Sequence, residues 1–463
     1  MHVHILGICG TFMGGIAAIA KAAGHRVTGS DKNVYPPMST QLEALGIELI
    51  SGFDAEQLKP RPDVVVVGNV MTRGVPVIEA LLDSNIPYTS GPDWLAKEVL
   101  SGVHVLGVAG THGKTTTSSM LAWILDYAGL APGFLIGGVP GNFSSSARFA
   151  PGTKHFVIEA DEYDTAFFDK RAKFVHYHSR TLILNNLEFD HADIYENLGA
   201  IQKQFHHLVR TVPASGRILW NAGDENLKAT LAMGAWTPRE AFARDGGNDI
   251  TWSLDQPQGA DFSKFVVLEA GRPVGTVRWN LLGAHNAENA LAAIGAARHA
   301  GVPVAQSIAA LAEFKGVKRR MELRGEVRGI SVYDDFAHHP TAIASTIDGL
   351  RRKVGNKRIV AVLEPRSATM KMGVHRETLG PSLSAADAVW MFAPPDLGWD
   401  ADGVVTALGG KGRVARSLDE LIEGLVAGTR TGDQVLIMSN GGFGGLHGKL
   451  LEALGQKDQS RRT

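Results

Sequence analysis

Apolar residues fall into two patterns along this chain: short continuous runs, and longer stretches in which they recur every three or four positions. The first pattern marks strands buried on both faces, the second helices with one face turned to a core. Near the N-terminus, residues 2–6, 26–29 and 63–68 read as strands, with a helix over 13–23. Alternation of this kind predicts a parallel sheet covered by helices. A second block opens with a buried strand at 103–108, a turn at 109–113 and a helix at 114–128. Met120, Leu121, Ile124, Leu125 and Ala128 recur along that helix, and Gly129 suits the position just past its end. Strands at 156–159 and 181–184 continue the block, and each ends in a polar cluster. In a parallel sheet ligands collect beyond the carboxyl ends of strands, so three such ends should share one crevice.

From 216 to 279 the runs shorten between turns bearing Gly, Asp and Pro, which predicts an antiparallel subsheet, and a helix follows at 286–300. After a basic stretch at 315–320 the alternation restarts, with strands at 330–333, 359–363, 389–392 and 434–438. The polar tail at 456–463 is expected to fray. The chain has 463 residues. Single cores stop growing at about 250–300 residues, so several domains are expected. Three α/β domains, at 1–102, 103–315 and 316–463, fit the restarts of the pattern.

Charge adds an exclusion. Lys plus Arg number 46 against 47 Asp plus Glu, and neither sign forms a long run, so neither nucleic acid nor a membrane surface is an expected partner. Cys9 is the only cysteine, which rules out an intramolecular disulfide and a cysteine-based zinc site and fits a reducing compartment. The apolar stretch 4–20 lacks a basic leader and is interrupted by Gly7, Gly10, Gly14 and Gly15, unlike a signal peptide. The expectation is a cytoplasmic enzyme.

Chemistry concentrates at Gly110-Thr111-His112-Gly113-Lys114-Thr115-Thr116. A strand, a glycine-bearing turn and a helix opened by Lys-Thr make an anion site, because outward N–H groups and the helix dipole both favour negative charge. Lys114 would meet the β- and γ-phosphates of ATP, and Thr115 would offer its hydroxyl to Mg²⁺. The usual pattern fails at one place: Val108 stands where its first glycine belongs, and Gly107 is one residue early. A surface turn capped by two glycines would look similar. Glu159, at the end of a neighbouring strand, supplies the carboxylate that a magnesium nucleotide needs.

The loop Gly110 to Thr117, then Glu159-Ala160-Asp161-Glu162 and Asn185-Asn186-Leu187-Glu188-Phe189-Asp190-His191, resembles the Mur ligase family of peptidoglycan enzymes. The resemblance spans nearly the whole chain. It continues in Gly283-Ala284-His285-Asn286-Ala287-Glu288-Asn289, in Lys318-Arg319-Arg320 and in Tyr333-Asp334-Asp335-Phe336-Ala337-His338-His339-Pro340, all in the family's order. It implies a Rossmann-like N-terminal domain for a UDP-sugar, a central P-loop ATPase and a Rossmann-like C-terminal domain presenting an amine. It also implies ATP as co-substrate, Mg²⁺ as cofactor, and an acyl phosphate formed on UDP-N-acetylmuramate. Within the family, residues 7–15, 35–39, 190–193 and 364–373 are similar to the members that attach the murein tripeptide L-Ala-γ-D-Glu-meso-diaminopimelate. The members that add L-alanine carry a His- and Arg-rich stretch where residues 364–373 stand here.

By position, the resemblance assigns Lys114 to the phosphates, with Thr115 and Glu159 on one magnesium and His191 on a second. Asn286 and Asn289 would reach adenine, Arg320 and Asp335 the nucleotide from the hinge side, and His338 the acyl phosphate and amine. Asn286 and Asn289 lie three apart and share a helix face, although Asn286 as a helix cap would give the same spacing. Gly7, Gly10, Gly14 and Asp31 read as a UDP-sugar site or, alternatively, a dinucleotide fingerprint, damaged because Cys9 and Phe12 replace its other glycines. Cys9 reads as a small packed residue. Arg366 and Lys371 follow a strand and suit the carboxylates of a peptide, or form a solvated basic loop. Asp334, Asp335, His338 and His339 could be drawn as a metal cluster, but neighbours on a strand point to opposite faces. His176, His178, His206 and His207 read as packing or surface residues, and Lys203 as a candidate for carbamylation. A nucleotide-binding regulator and a dehydrogenase are the readings from other classes.

Overall fold

A computed structural model describes residues 1–35, 38–257 and 259–459. Pro36 and Pro37, inside one of the segments that carry the resemblance, and residues 460–463 of the tail lie outside the described residues. The helix Leu446–Gln459 runs through the first part of the tail expected to fray.

Each restart of the sequence pattern corresponds to a separate sheet. The first has five parallel strands in the spatial order Glu48–Ser51, Arg26–Asp31, His2–Leu6, Val64–Val67, Tyr88–Ser90. The order reverses between His2–Leu6 and Val64–Val67, which opens a crevice at their carboxyl ends. In the central sheet, His104–Ala109 lies between His155–Glu159 and Thr181–Leu184, all parallel. The third sheet orders Glu322–Val327, Ile330–Asp335, Gln434–Met438, Ile359–Leu363, Ala388–Phe392 and Gly412–Ala415, antiparallel only at its first pair.

The expected antiparallel subsheet over 216–279 is corrected. Arg217–Asn221 and Arg239–Phe242 extend the central sheet in parallel, with the helix Glu225–Ala232 between them. Only Trp252–Asp255, Lys264–Glu269 and Arg272–Arg278 form an antiparallel set, at the edge of a ten-stranded sheet. Gly- and Asp-bearing turns mark chain reversals in either geometry, so they could not tell a short crossover from a hairpin.

The apolar cores divide unequally. One cluster runs from Val3, Ile16 and Trp94 of the first sheet's layer into Leu135, Phe156 and Phe174 of the central one. The N-terminal and central sheets therefore share a core. The third sheet has its own apolar clusters on its two faces, around Ile343, Leu363 and Met438 and around Val332, Leu421 and Leu450. At the shared core, the helix Thr11–Ala22 presents Gly15, where an added Cβ would lie 2.2 Å from Leu135 Cδ1 and 3.4 Å from Ala147 Cβ. Gly15→Val is expected to lower unfolding stability by about 1–3 kcal/mol, the usual cost of overpacking. Leu135→Ala in the same chain should restore part of it. Urea denaturation of the two variants checks this, and an unchanged midpoint for Gly15→Val would contradict the shared core.

Candidate active site

The strand His104–Ala109 leads into a turn whose glycines are conformationally required. Gly110 has φ 147° and Gly113 has φ 79°, both outside the range that other residues favour. A Cβ at Gly113 would also stand 2.8 Å from Asn289 Oδ1 and 3.0 Å from Asn185 Nδ2. Val108 is fully buried within the strand, so the place where the sequence pattern fails belongs to the sheet and not to the turn. Gly107 serves packing, since a Cβ there would meet Ser179 Oγ at 2.3 Å. The first backbone bond of the helix Lys114–Tyr127 runs from Thr117 N to Gly113 O, leaving the preceding amides without intrahelical acceptors. The turn is braced from the next strand end. Asn186 Oδ1 accepts the His112 N–H at 2.7 Å, and Thr111 Oγ1 accepts the Glu188 N–H at 2.8 Å.

Acids surround the helix start. Lys114 Nζ lies 2.8 Å from Glu162 and 3.5 Å from Asp161. Burial alone would lower the Lys114 pKa, but the charges of Glu162 and Asp161 raise it, so it stays an ammonium. Burial likewise opposes ionisation of Glu162, yet Lys114 and His191 hold it down to about 2. His191 Nε2 meets Glu162 Oε1 at 3.0 Å, and although burial disfavours its cation, Glu162 and Asp190 shift its pKa upward. Its φ of 56° is strained for a histidine, as at many functional positions. Glu159 accepts from Thr115 Oγ1 at 3.0 Å and from the Gly137 N–H at 2.7 Å. Its pKa is raised, first by burial and then by Asp161, with Lys114 only partly offsetting them. A half-buried carboxylate and a buried hydroxyl under that electrostatic stress form a donor set suited to a hard dication.

The C-terminal domain closes the other side through polar contacts. Arg320 Nη2 donates to Thr115 Oγ1 at 3.3 Å, and its guanidinium lies 4.6 Å over the Phe336 ring. Asp335 accepts from the Met321 and Ala337 amides, both at 2.8 Å, and so fixes the linker behind Arg320. Arg319 and Met321 both have positive φ there, 61° and 50°. His338 Nδ1 donates to Phe336 O at 2.9 Å, which leaves Nε2 as the acceptor nitrogen. Burial lowers its pKa to about 4, so the ring is neutral near pH 7. The metal cluster drawn on adjacent residues does not form: Asp334 turns to Arg319, Arg324 and His447, while Asp335 caps backbone amides. His339 instead joins Glu188 and His112, a grouping of residues far apart in sequence that no spacing rule indicates. Thr341 Oγ1 donates to Glu188 at 2.8 Å, and Thr369 Oγ1 accepts the Ala192 N–H at 3.2 Å.

The remaining candidates have the following places. Gly283, not Asn286, caps the helix Ala284–His299; Asn286 and Asn289 are both buried, the first donating to Leu282 O at 2.8 Å and the second accepting from Asn185 Nδ2 at 3.3 Å beneath Gly113. Asp31 accepts the Cys9 N–H at 3.0 Å and so ties down the turn from Gly7. Gly10 caps the helix Thr11–Ala22, and Gly14 makes room for Met38, whose Sδ would lie 2.6 Å from a Cβ there. Arg366 is exposed and crosses Gly441, where a Cβ would meet its guanidinium. Lys371 pairs with Asp396 at 3.2 Å. Lys203 is exposed, His176 pairs with Asp169 at 3.1 Å, and His206 packs by Trp236. No motif marks Lys173, which is buried with its ammonium 5.0 Å from the Phe12 ring and 5.5 Å from the Tyr163 ring, and has no carboxylate partner among the described residues. Only its place between the first two sheets singles it out.

Comparison with known proteins covers almost the whole chain. The Mur ligase family catalytic domain matches residues 2–101, the Mur ligase middle domain 108–297 and the Mur ligase glutamate ligase domain 319–441. The chain is 56% identical to the UDP-N-acetylmuramate–L-alanyl-γ-D-glutamyl-meso-2,6-diaminoheptandioate ligase of Escherichia coli (strain K12), over 99% of this chain and 100% of that one. It is 31% identical to the UDP-N-acetylmuramate–L-alanine ligase of Myxococcus xanthus, over 98% and 95%. A crystal structure of a murein peptide ligase from Psychrobacter arcticus superimposes with a TM-score of 0.76 at 49% identity, covering 98% and 99%. With three family domains in order and this identity over its full length, the chain belongs to the Mur ligase family.

Proposed function

We propose that this ligase uses ATP to join the tripeptide L-Ala-γ-D-Glu-meso-diaminopimelate to UDP-N-acetylmuramate in the cytoplasm. The observation that carries the reading is the convergence on one loop of Lys114 with Glu159, Glu162 and His191, closed from the third domain by Arg320 on Thr115. A nucleotide-binding regulator has no need of that third element. Several features support the rest: the 56% identity to a tripeptide ligase against 31% to an L-alanine ligase, a single cysteine, and the absence among the described residues of a helix long and apolar enough to cross a membrane.

A carboxylate is a poor electrophile. In the proposed reaction an oxygen of the sugar's lactyl carboxylate attacks the γ-phosphorus, the bond to the β-phosphate oxygen breaks, and ADP leaves. The peptide's amine then attacks the acyl carbon, phosphate departs, and the amine gives up a proton. Positioning and charge stabilisation are the protein's share of such phosphoryl transfer. The open amides before Thr117 and the Lys114 ammonium receive the phosphates. Thr115, Glu159 and His191 would hold Mg²⁺, which when bound neutralises charge on the phosphate oxygens. Arg320 approaches Thr115 from the opposite wall. His338, neutral and with Nε2 open, orients the amine or takes its proton. Asn286 and Asn289 lie on the adenine side, Asp335 steadies Arg320, and the turn at Gly7, Gly10 and Gly14 with Asp31 receives the UDP-sugar. Lys173, a buried cation facing Phe12, suits an anionic group of that sugar nucleotide. Arg366 and Lys371 meet the carboxylates of the peptide.

The deciding experiment incubates the protein with ATP, Mg²⁺ and UDP-N-acetylmuramate plus either the tripeptide or L-alanine, following phosphate release and product mass. Turnover with the tripeptide is expected. Release with L-alanine alone would reassign the acceptor, and none with either would sink the ligase reading. Lys114→Ala should reduce turnover by about 100-fold or more, the scale of losing a charge that meets the transition state, while UDP-sugar affinity stays largely intact. Loss of sugar binding as well would disprove the division of labour between domains. Arg366→Ala should raise the tripeptide KM by about tenfold or more, as for a lost charged hydrogen bond, and the ATP KM far less. Equal rises in both would remove Arg366 from the peptide site.

A further inference from the structure

Away from the acidic wall around Lys114, three donor atoms meet at the seam between the central and C-terminal sheets. His112 Nε2 lies 3.1 Å from Glu188 Oε2 and 3.1 Å from His339 Nδ1, and His339 Nδ1 lies 3.2 Å from the same carboxylate oxygen. Hydrogen bonding does not satisfy a closed triangle of this kind. Each ring nitrogen offers a single in-plane direction, either a lone pair or an N–H, so a proton placed on one edge leaves another edge without one. Around a tetrahedral cation held at about 2.0–2.1 Å, neighbouring ligand atoms stand about 3.3 Å apart. All three edges come close to that spacing.

Other features fit a ligand set. His339 is buried and enters the triangle through Nδ1. The competitor for its Nδ1 lone pair is the Thr341 N–H at 3.3 Å, long for a hydrogen bond. His375 stands edge-on to His339 with ring centroids 4.5 Å apart, and its buried Nε2 has no hydrogen-bond partner, so a further imidazole is beside the triangle. The nucleotide-side network of Lys114, Thr115, Glu159, Glu162 and His191 uses none of these groups. Two imidazoles and one carboxylate suit Zn²⁺ and its neighbours, whereas Mg²⁺ favours an octahedron of oxygens.

We propose that His112, Glu188 and His339 form a site for a transition-metal dication of the Zn²⁺ class, distinct from the nucleotide's magnesium, that clasps the C-terminal domain to the phosphate loop. His112 and Glu188 belong to the central domain and His339 to the C-terminal one, so an ion bound by all three fixes their approach. Acceptor entry and product release need the two surfaces to part, and occupancy therefore slows turnover.

The full-length protein, with Mg²⁺ and ADP saturating so that the acidic pocket is filled, is titrated with Zn²⁺ by calorimetry and with Co²⁺ by visible absorption. One Zn²⁺ per chain is expected, with an intense tetrahedral Co²⁺ band that Zn²⁺ bleaches and further Mg²⁺ does not. Glu188→Gln and His339→Ala should each weaken Zn²⁺ binding by about tenfold or more. His207→Ala, on the remote helix Leu198–Thr211, should leave it unchanged. Should His339→Ala fail to fold, the nearly isosteric Glu188→Gln carries the test. The proposal is overturned by the absence of a stoichiometric Zn²⁺ site, by full affinity in Glu188→Gln, or by binding that is lost with Glu159→Gln instead, which would put the ion in the nucleotide pocket.

Discussion

An ammonium group withdrawn from water costs several kcal/mol unless anions meet it, and Lys114 sets the terms for everything around it. Glu162 and Asp161 converge on it, and Glu162 in turn grips His191, so a single buried charge fixes the ends of three separate chain segments. Beneath, Asn185 and Asn289 leave no room for a side chain at Gly113. Glu159 is the exception in this balance. Lys114 does not fully offset burial and Asp161 there, and Glu159 would be relieved by further positive charge.

Much of this could be read in the amino-acid sequence because it is local. The phosphate turn, its strand and its helix are consecutive, and the spacing of Gly110, Gly113 and Lys114 encodes their geometry directly. The same holds for the alternating runs that became three sheets. The phosphate-loop pattern itself was a poorer guide: it failed at Val108 only because that residue is still strand, while Gly110 and Gly113 supply the positive φ angles. Long-range juxtaposition left no mark in spacing. His112, Glu188 and His339 meet from three distant segments, and Lys173 becomes noticeable only when the first sheet supplies Phe12 above it. Hairpins and short crossovers share turn chemistry, so the edge of the central sheet had to be seen rather than read.

The molecule is stiff on one side of its cleft and loosely held on the other. An apolar core continues from Ile16 through Leu135 to Phe174, and separating its halves would expose that surface to water. Across the cleft, Arg320, Thr341 and Thr369 make hydrogen bonds that water can replace. Strained φ angles at Arg319 and Met321 lie in the strand of chain that joins the two parts. On the proposed assignment, the nucleotide and sugar surfaces share one apolar core, and the acceptor surface meets them through polar contacts alone.

The core shared through Gly15 and Leu135 has a consequence for how such ligases diversify. Replacing the first domain with that of a relative would require matching a packed apolar surface, whereas a graft beyond Val317, which itself belongs to the central core, meets the polar contacts of Arg320, Thr341 and Thr369. If the last domain receives the acceptor, as proposed, new acceptors are more readily acquired by exchange of that domain than new donors by exchange of the first, which the chain cannot easily divide from its neighbour.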